Sequence, residues 1–357
     1  MHRPTYQRMA NRPYRIALNG YGRIGRCVLR AFYERNTAFS FDIVALNDLA
    51  DQASLEYLTR FDSTHGRFPG EVSTQGSCLM INGDCVETLR EADPAAIDWR
   101  ALNVDLVMEC SGVYSHRADG ERFLEAGAPR VLFSHPMASE ADIDATVVYG
   151  INHTQLTGAE KLLSNASCTT NCGVPLLKVL NDTLGLEYIS ITNIHSAMND
   201  QPVIDAYHHE DLRRTRSAFQ SVIPVSTGLA RGVERLLPEL KGRIQAKAVR
   251  VPTVNVSCLD ITLQTRTATD AATVNRILRE AAEGPLKGLL AYTEMPHASC
   301  DFNHDPHSAV VDGSLTSVSG PRLVNLLAWF DNEWGFANRM LDVTEYFLQV
   351  AGKHRHP

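Results

Sequence analysis

No run of apolar residues in this 357-residue chain approaches the roughly 18 needed to cross a bilayer, so no membrane-spanning helix is expected. Excess positive charge is lacking too. With 34 Lys+Arg against 41 Asp+Glu the formal net charge is −7, which gives no support to a nucleic-acid-binding surface. Internal repeats and low-complexity tracts are missing, which excludes solenoids, fibres and extended disorder. The opening stretch MHRPTYQRMANRPYR is basic but has no apolar core, so it does not read as a secretory signal. The expected setting is therefore the cytoplasm, where thiols stay reduced. Eight cysteines (27, 78, 85, 110, 168, 172, 258 and 300) lack the spacing of a disulfide framework, and most are expected to be small buried apolar residues. What is present is ordinary globular material: 44% hydrophobic and 21% charged residues, over a length that suggests about two domains.

The first fourteen residues read as a loose leader. Residues 15–19 form a short buried strand, and Gly20-Tyr-Gly-Arg-Ile-Gly25 follows at once. From 23 to 34 the apolar residues Ile24, Cys27, Val28, Ala31 and Phe32 recur at helical spacing, and 41–46 is a second strand. Strand, helix and strand within about 30 residues make a βαβ unit and demand a parallel sheet. Further strands are expected at 104–108, 130–133, 145–148 and 162–163, with a helix at 119–126. The stretch 71–88, with its Gly and Asn-Gly turns, reads as a small antiparallel insertion. Beyond Ser167 the pattern changes to a long helix at 169–184, strands at 188–195, 246–251, 254–265 and 322–330, and a final amphipathic helix at 333–350. The expected fold is α/β: a Rossmann-type dinucleotide-binding domain over 14–167, completed by helix 333–350, plus an α+β domain over 168–332 with a mixed, largely antiparallel sheet.

The glycine pattern sits after a strand and opens a helix, and Asp48 ends the next strand 23 residues past Gly25. That is the context of a dinucleotide site. Gly20 provides the sharp turn, Gly22 lets the backbone approach a pyrophosphate, and Gly25 lets the helix pack close to the sheet. The helix N-terminus offers free N–H groups and a favourable dipole to phosphate. A carboxylate at Asp48 suits ribose hydroxyls and repels a 2′-phosphate, which favours NAD over NADP.

Ser164-Asn-Ala-Ser-Cys168-Thr-Thr-Asn-Cys172 lies between a strand and the long helix. A cysteine at a helix start is expected to have a lowered pKa, which makes Cys168 the candidate nucleophile. Cys172, one turn on, is expected inside the packing. His195, at a strand end, is the candidate base. The groupings His208-His209, His304 with His307, and His354 with His356 have no carboxylate or thiol at ligand spacing, so no metal is expected.

SNASCTTNC, NGYGRIGR, Leu212-Arg-Arg-Thr-Arg216, Arg250-Val-Pro-Thr253 and Trp329-Phe-Asp-Asn-Glu333 together resemble the glyceraldehyde-3-phosphate dehydrogenase superfamily, from about Tyr14 to Phe347. The stretches 194–208, 301–308 and 331–340 are similar to its erythrose-4-phosphate-oxidising branch. The resemblance implies a homotetramer that uses NAD on a small phosphorylated aldehyde, D-erythrose 4-phosphate, in a step toward pyridoxal phosphate. It implies Cys168 as nucleophile, His195 as its activator, and Asn332 as the holder of the nicotinamide carboxamide. By the same resemblance the backbone N–H groups of Arg23 and Ile24 meet the pyrophosphate, and Ser167, Thr169, Arg214, Thr227, Gly228 and Arg250 meet phosphate groups. Three positions depart from the glycolytic pattern. Met198 replaces a threonine hydroxyl in the substrate-phosphate subsite, Phe336 replaces a tyrosine, and Ala92 lies near where relatives carry an arginine by the adenine. Loss of the hydroxyl at 198 leans the substrate phosphate on Arg250 and favours release of the thioester by water. The alternative is the phosphorylating glyceraldehyde-3-phosphate dehydrogenase.

Overall fold

The computed structural model describes residues 13–35, 37–208 and 211–353. Most of the expected leader, His209 of the His208-His209 pair, and the tail histidines His354 and His356 lie outside the described residues. Chain order begins β1 (Tyr14–Asn19), α1 (Arg23–Glu34), β2 (Phe41–Asn47), α2 (Gln52–Arg60), and the small pair β3 (Phe61–Asp62) and β4 (Gly66–Arg67). The insertion follows as β5 (Val72–Gln75), β6 (Cys78–Ile81) and β7 (Asp84–Leu89). The first half closes with β8 (Leu106–Glu109), α3 (Arg117–Glu125), β9 (Val131–Phe133), β10 (Ala145–Thr146) and β11 (Leu162–Ser164). Apart from β3 and β4, which pair only with each other, these strands form one nine-stranded sheet in the order β10-β11-β9-β8-β1-β2-β7-β6-β5. It is parallel from β10 to β7 and turns antiparallel only at the β7-β6-β5 edge. Parallel strands are covered on both faces, which is why β1, β8 and β9 read as nearly unbroken apolar runs.

The second half runs α4 (Cys168–Leu184), β12 (Leu186–His195), β13 (Ile223–Val225), α5 (Leu229–Leu236), β14 (Ile244–Arg250) and β15 (Ser257–Thr265). It ends with α6 (Ala271–Glu283), β16 (Leu290–Thr293), β17 (Ala309–Ser319), β18 (Leu323–Phe330) and α7 (Trp334–Lys353). Its seven-stranded sheet has the order β13-β14-β12-β15-β18-β17-β16. Only β12-β14 and β16-β17 are parallel pairs, so the sheet is mixed and largely antiparallel. Helix α4 is buried against this sheet, whereas α7 returns to the first one. Trp334, Phe336, Ala337, Met340, Leu341, Phe347 and Leu348 share a core with Ile16, Val28, Phe32 and Leu46.

The expected antiparallel insertion is β5–β7, and the expected long helix is α4. Several elements were not legible in the sequence. Helix α2 has only a short apolar face and is fixed by Asp51, whose side chain accepts from the Ser54 amide at 2.8 Å. Helix α6 is capped in the same way by Asp270, and α5 is a short eight-residue helix. Strand β17 hides behind an irregularity between Asp312 and Ser317 that breaks its alternation. The strand expected from 254 starts only at Ser257, because Val256 has φ +65° and cannot extend a ladder.

One expectation about cysteine is corrected. Cys78 and Cys85 form a disulfide, with Cα atoms 5.3 Å apart. The turn at Asn82-Gly83 folds β6 onto β7 and brings the two strands' cysteines diagonally together. Cys27, Cys110, Cys172 and Cys258 are buried free thiols, as expected for most of them, whereas Cys300 is exposed.

Candidate active site

The glycine loop is shaped by three different demands. Gly20 has φ +89°, and a Cβ there would meet the Ser111 amide nitrogen at 2.5 Å. A Cβ on Gly25 would run into the Gly20 carbonyl oxygen, so α1 packs on the loop only because that side chain is missing. At Gly22, among the described residues, nothing lies within 4 Å of an added Cβ. That open space faces the start of α1, whose first amides, Arg23 and Ile24 among them, have no intrahelical acceptor. Asp48 stands at the rim: its Oδ2 accepts from the Tyr21 amide at 2.8 Å and its Oδ1 from the Ala50 amide at 2.9 Å. An open cradle, a helix N-terminus and a rim carboxylate fit a dinucleotide.

Beneath α1 lies a buried polar cluster that sequence reading missed. The Arg23 guanidinium is shared between Asp62, at 2.5 Å, and Glu333, whose carboxylate also takes the His65 Nε2 at 3.0 Å. His65 Nδ1 lies 3.1 Å from His304 Nδ1, and His304 Nε2 reaches Glu34 at 3.0 Å. Arg23 holds Asp62 well below the ordinary carboxylate range, against burial that pushes the other way. Glu333 is lowered as well, by Arg23 and His65 against the same desolvation. The ligand-type atoms of Cys27, His65 and Glu333 lie within 4.8 Å of one another. Spacing along the chain did not bring these three together; the Glu333 carboxylate is already partnered by Arg23 and the His65 ring by His304, and Cys27 is a buried free thiol. The cluster ties α1 to the start of α7, next to Asn332.

Asn332 is held by its oxygen. Its Oδ1 accepts from the Ser196 hydroxyl at 3.0 Å and from the Ser257 hydroxyl at 2.8 Å. Two donors on one side orient the amide, so its NH₂ faces away from them. Neither serine was a sequence candidate, because each is short and lies far from Asn332 along the chain.

Cys168 opens α4. Ser167 is the N-cap and accepts from the Thr170 amide at 3.1 Å, while its hydroxyl also lies 2.9 Å from that of Thr169. The Cys168 Sγ stands 3.7 Å from His195 Nε2, at the end of β12. His195 Nδ1 donates to the Ser196 carbonyl at 2.8 Å. That bond puts the ring proton on Nδ1 and leaves the Nε2 lone pair toward the sulfur. Burial, assisted by the Arg250 charge, lowers the His195 pKa, so the ring is a neutral base. The expectation of a lowered Cys168 pKa is corrected: burial pushes the thiol up to about 12, and the amides of Thr169 and Cys168 pull it back only in part. Helix position favours the thiolate, but desolvation of the sulfur is the larger effect. Cys172 is fully buried in the packing behind it.

The phosphate candidates fall into two groups. Gly228 is the N-cap of α5, and Thr227 Oγ1 accepts from the Leu229 amide at 3.2 Å. Helix α5 lies on the first turn of α4, where a Cβ on Gly232 would stand 2.9 Å from Thr170 Oγ1. The middle of α5 thus packs on the first turn of α4, which begins with Ser167 and Thr169, while the start of α5 carries Thr227 and Gly228. Arg250 is register partner of His195 across β12-β14, and its guanidinium is buried. Asp200 joins it to Arg214: Arg250 donates to Asp200 Oδ1 at 2.7 Å and Arg214 to Oδ2 at 3.3 Å. Met198 lies on the same turn, half-exposed. Phe336 is buried in the α7 core.

Among the described residues no helix is long and apolar enough to cross a membrane. Residues 14–117 match the NAD-binding domain of glyceraldehyde 3-phosphate dehydrogenase, and residues 167–332 match the C-terminal domain of the same enzyme. The two matches occur in that enzyme's domain order and between them take in the glycine loop, the cysteine helix, the histidine strand and the arginine pair. The first domain is thus an NAD-binding domain, and the chain belongs to the glyceraldehyde 3-phosphate dehydrogenase family of NAD-dependent oxidoreductases.

Proposed function

We propose that this protein is an NAD-dependent aldehyde dehydrogenase that oxidises D-erythrose 4-phosphate to 4-phospho-D-erythronate, a step toward pyridoxal phosphate. The observation that carries the chemistry is the Cys168 Sγ at 3.7 Å from a His195 Nε2 left free to accept a proton. Cys168 gives its proton to His195 Nε2 and attacks the aldehyde carbon, forming a hemithioacetal. The developing oxyanion lies at the N-terminus of α4, where the Cys168 amide points outward without an intrahelical acceptor. NAD, when bound over the Gly22 cradle with its carboxamide at Asn332, supplies the hydride acceptor. His195 Nε2 first returns its proton to that oxyanion, completing the hemithioacetal, then takes it back from the hydroxyl as the thioester forms and releases it to solvent. Water, deprotonated by His195 now neutral again, then attacks the thioester carbonyl; the C–S bond breaks and the proton on His195 passes to the sulfur.

The choice of erythrose 4-phosphate rests on three stretches, 194–208, 301–308 and 331–340, and on Met198 in place of a hydroxyl donor. Arg250, beside His195, and Arg214 are assigned to the substrate phosphate, where planar guanidinium forks suit phosphate oxygens. The proposal includes domain boundaries at 14–167 and 168–332, a cytoplasmic location and a homotetramer. The exposed apolar side chains Val203, Ile204, Tyr207, Leu212 and Val222 would be covered by neighbouring subunits. The second reading is phosphorylating glyceraldehyde-3-phosphate dehydrogenase, favoured by Thr227 and Gly228 at the start of α5, a helix packed on the first turn of α4, which would offer a seat for inorganic phosphate.

The test is NADH formation with erythrose 4-phosphate and with glyceraldehyde 3-phosphate, each with and without inorganic phosphate. The proposal expects a preference for erythrose 4-phosphate that persists without phosphate. Strong activity on glyceraldehyde 3-phosphate that appears only when phosphate is added would establish the second reading instead.

A further inference from the structure

We infer that Asp200 is a specificity-determining residue, an internal carboxylate that competes with phosphate for the Arg214–Arg250 pair and reserves it for a phosphate tethered to the substrate. This rests on the assignment of that pair to the substrate phosphate. One carboxylate accepts from both guanidiniums, at 2.7 Å from Arg250 and 3.3 Å from Arg214. Its side chain is 38% exposed, against 8% for Arg250 and 19% for Arg214. The carboxylate therefore lies toward solvent, on the side from which an anion arrives, with the arginines behind it.

The backbone that carries Asp200 is pinned on either side. The Ala197 amide donates to the Thr253 carbonyl at 2.9 Å, and the Gln201 amide to the Met198 carbonyl at 3.0 Å. The Met198 amide in turn donates to Gln201 Oε1 at 3.1 Å. The freedom left is rotation of a short side chain, enough to swing the carboxylate off the arginines without moving the turn. Asp200 offsets one unit of the positive charge that the two arginines bring, and one hydrogen bond from each is already made to it. An entering phosphate group has to replace both.

Free inorganic phosphate has only its own contacts with which to displace the carboxylate. The phosphate of the aldehyde arrives on a molecule already held at Cys168, and so competes at a high effective concentration. The same competitor thus weakens both, but only the tethered group overcomes it. Inorganic phosphate is thereby kept from the seat of the substrate phosphate. The charge acts on the base as well: Arg250 lowers the basicity of His195 and Asp200 raises it, so the pair of charges is felt at the reacting atoms.

The experiment compares Asp200→Asn, Asp200→Ser and Asp200→Glu with the parent enzyme, using erythrose 4-phosphate, unphosphorylated D-erythrose and inorganic phosphate. Removing the charge is expected to lower KM for erythrose 4-phosphate on the order of tenfold. The inorganic phosphate concentration that competes with it should fall by a similar factor. Asp200→Glu keeps the charge and should keep the parent response to phosphate. An unchanged or raised KM in both charge-free variants, with unchanged phosphate competition, would overturn the inference. Arg250→Gln separates this from failure of the assignment beneath it. If that change leaves the preference for erythrose 4-phosphate over D-erythrose intact, the arginine pair does not hold the substrate phosphate, and the role of Asp200 falls with it.

Discussion

Replacing Gly22 and Gly25 in turn by alanine separates what the glycine loop does for the fold from what it does for the cofactor. Gly22 has φ −72° and ψ −156°, extended backbone that alanine adopts, and among the described residues no atom lies within 4 Å of the added Cβ. Alanine gains about 0.4–1 kcal/mol by restricting the unfolded chain and loses a similar amount as a poorer N-cap. The cofactor-free protein should therefore unfold in urea within about 1 kcal/mol of the parent. The new methyl, however, fills the space over the first amides of α1. Losing two charge-assisted hydrogen bonds at about 1.5 kcal/mol each costs about 3 kcal/mol, or roughly 150-fold in the NAD dissociation constant. Gly25→Ala behaves differently, because its Cβ meets the backbone oxygen of Gly20 and forces α1 away from β1. It should cost about 2–4 kcal/mol of stability even without NAD. Urea unfolding without cofactor and calorimetric titration with NAD measure the two effects. NAD binding by Gly22→Ala within threefold of the parent would refute the reasoning, since the phosphates would then not approach the loop at Gly22.

Three further outcomes follow from the geometry. Asp62 ionises below its unfolded range because of Arg23, so the stability it contributes is complete above about pH 5 and lost as pH falls through its folded pKa. Asp62→Asn should therefore cost about 2–3 kcal/mol at pH 7 and progressively less toward pH 3, measured by urea unfolding at each pH; a difference that grows on acidification would contradict the ion pair. With the Cys168 thiol pushed up to about 12 in the cofactor-free protein, its rate of alkylation by iodoacetamide should climb steadily from pH 7 to 10. A plateau below pH 8, followed by mass spectrometry of the Cys168 peptide, would show a thiolate already formed. Reducing the Cys78–Cys85 bridge, whose cysteines are seven residues apart, should cost about 2.5 kcal/mol and raise amide exchange in β6 and β7 first; unchanged exchange there on adding dithiothreitol would argue against a structural bridge.

Much of the site was legible because it is local. The glycine loop is strand, turn and helix within a dozen residues, and each glycine answers to atoms of that same segment or of the strand beside it. Cys168 at a helix start, with Ser167 as its cap, is likewise written in consecutive residues. His195 was readable as a strand end, but its pairing with Cys168 depended on where β12 lies relative to α4.

What the chain determined by itself, then, was the parallel dinucleotide-binding half, the change to a mixed sheet after Ser167, and the positions of the proposed nucleophile and base. Those features arise from backbone sterics, capping and apolar periodicity, which act over a few residues. Tertiary structure alone decided the rest. It set Asp200 between Arg214 and Arg250, turned the Asn332 amide through Ser196 and Ser257, and gathered Arg23, Asp62, His65 and Glu333 under α1. It also reversed the expected effect on Cys168, because desolvation depends on everything packed around the sulfur, while the helix that favours the thiolate is visible in the sequence. Such contacts are fixed by strand order and register, as in the pairing of His195 with Arg250, and no spacing along the chain encodes them.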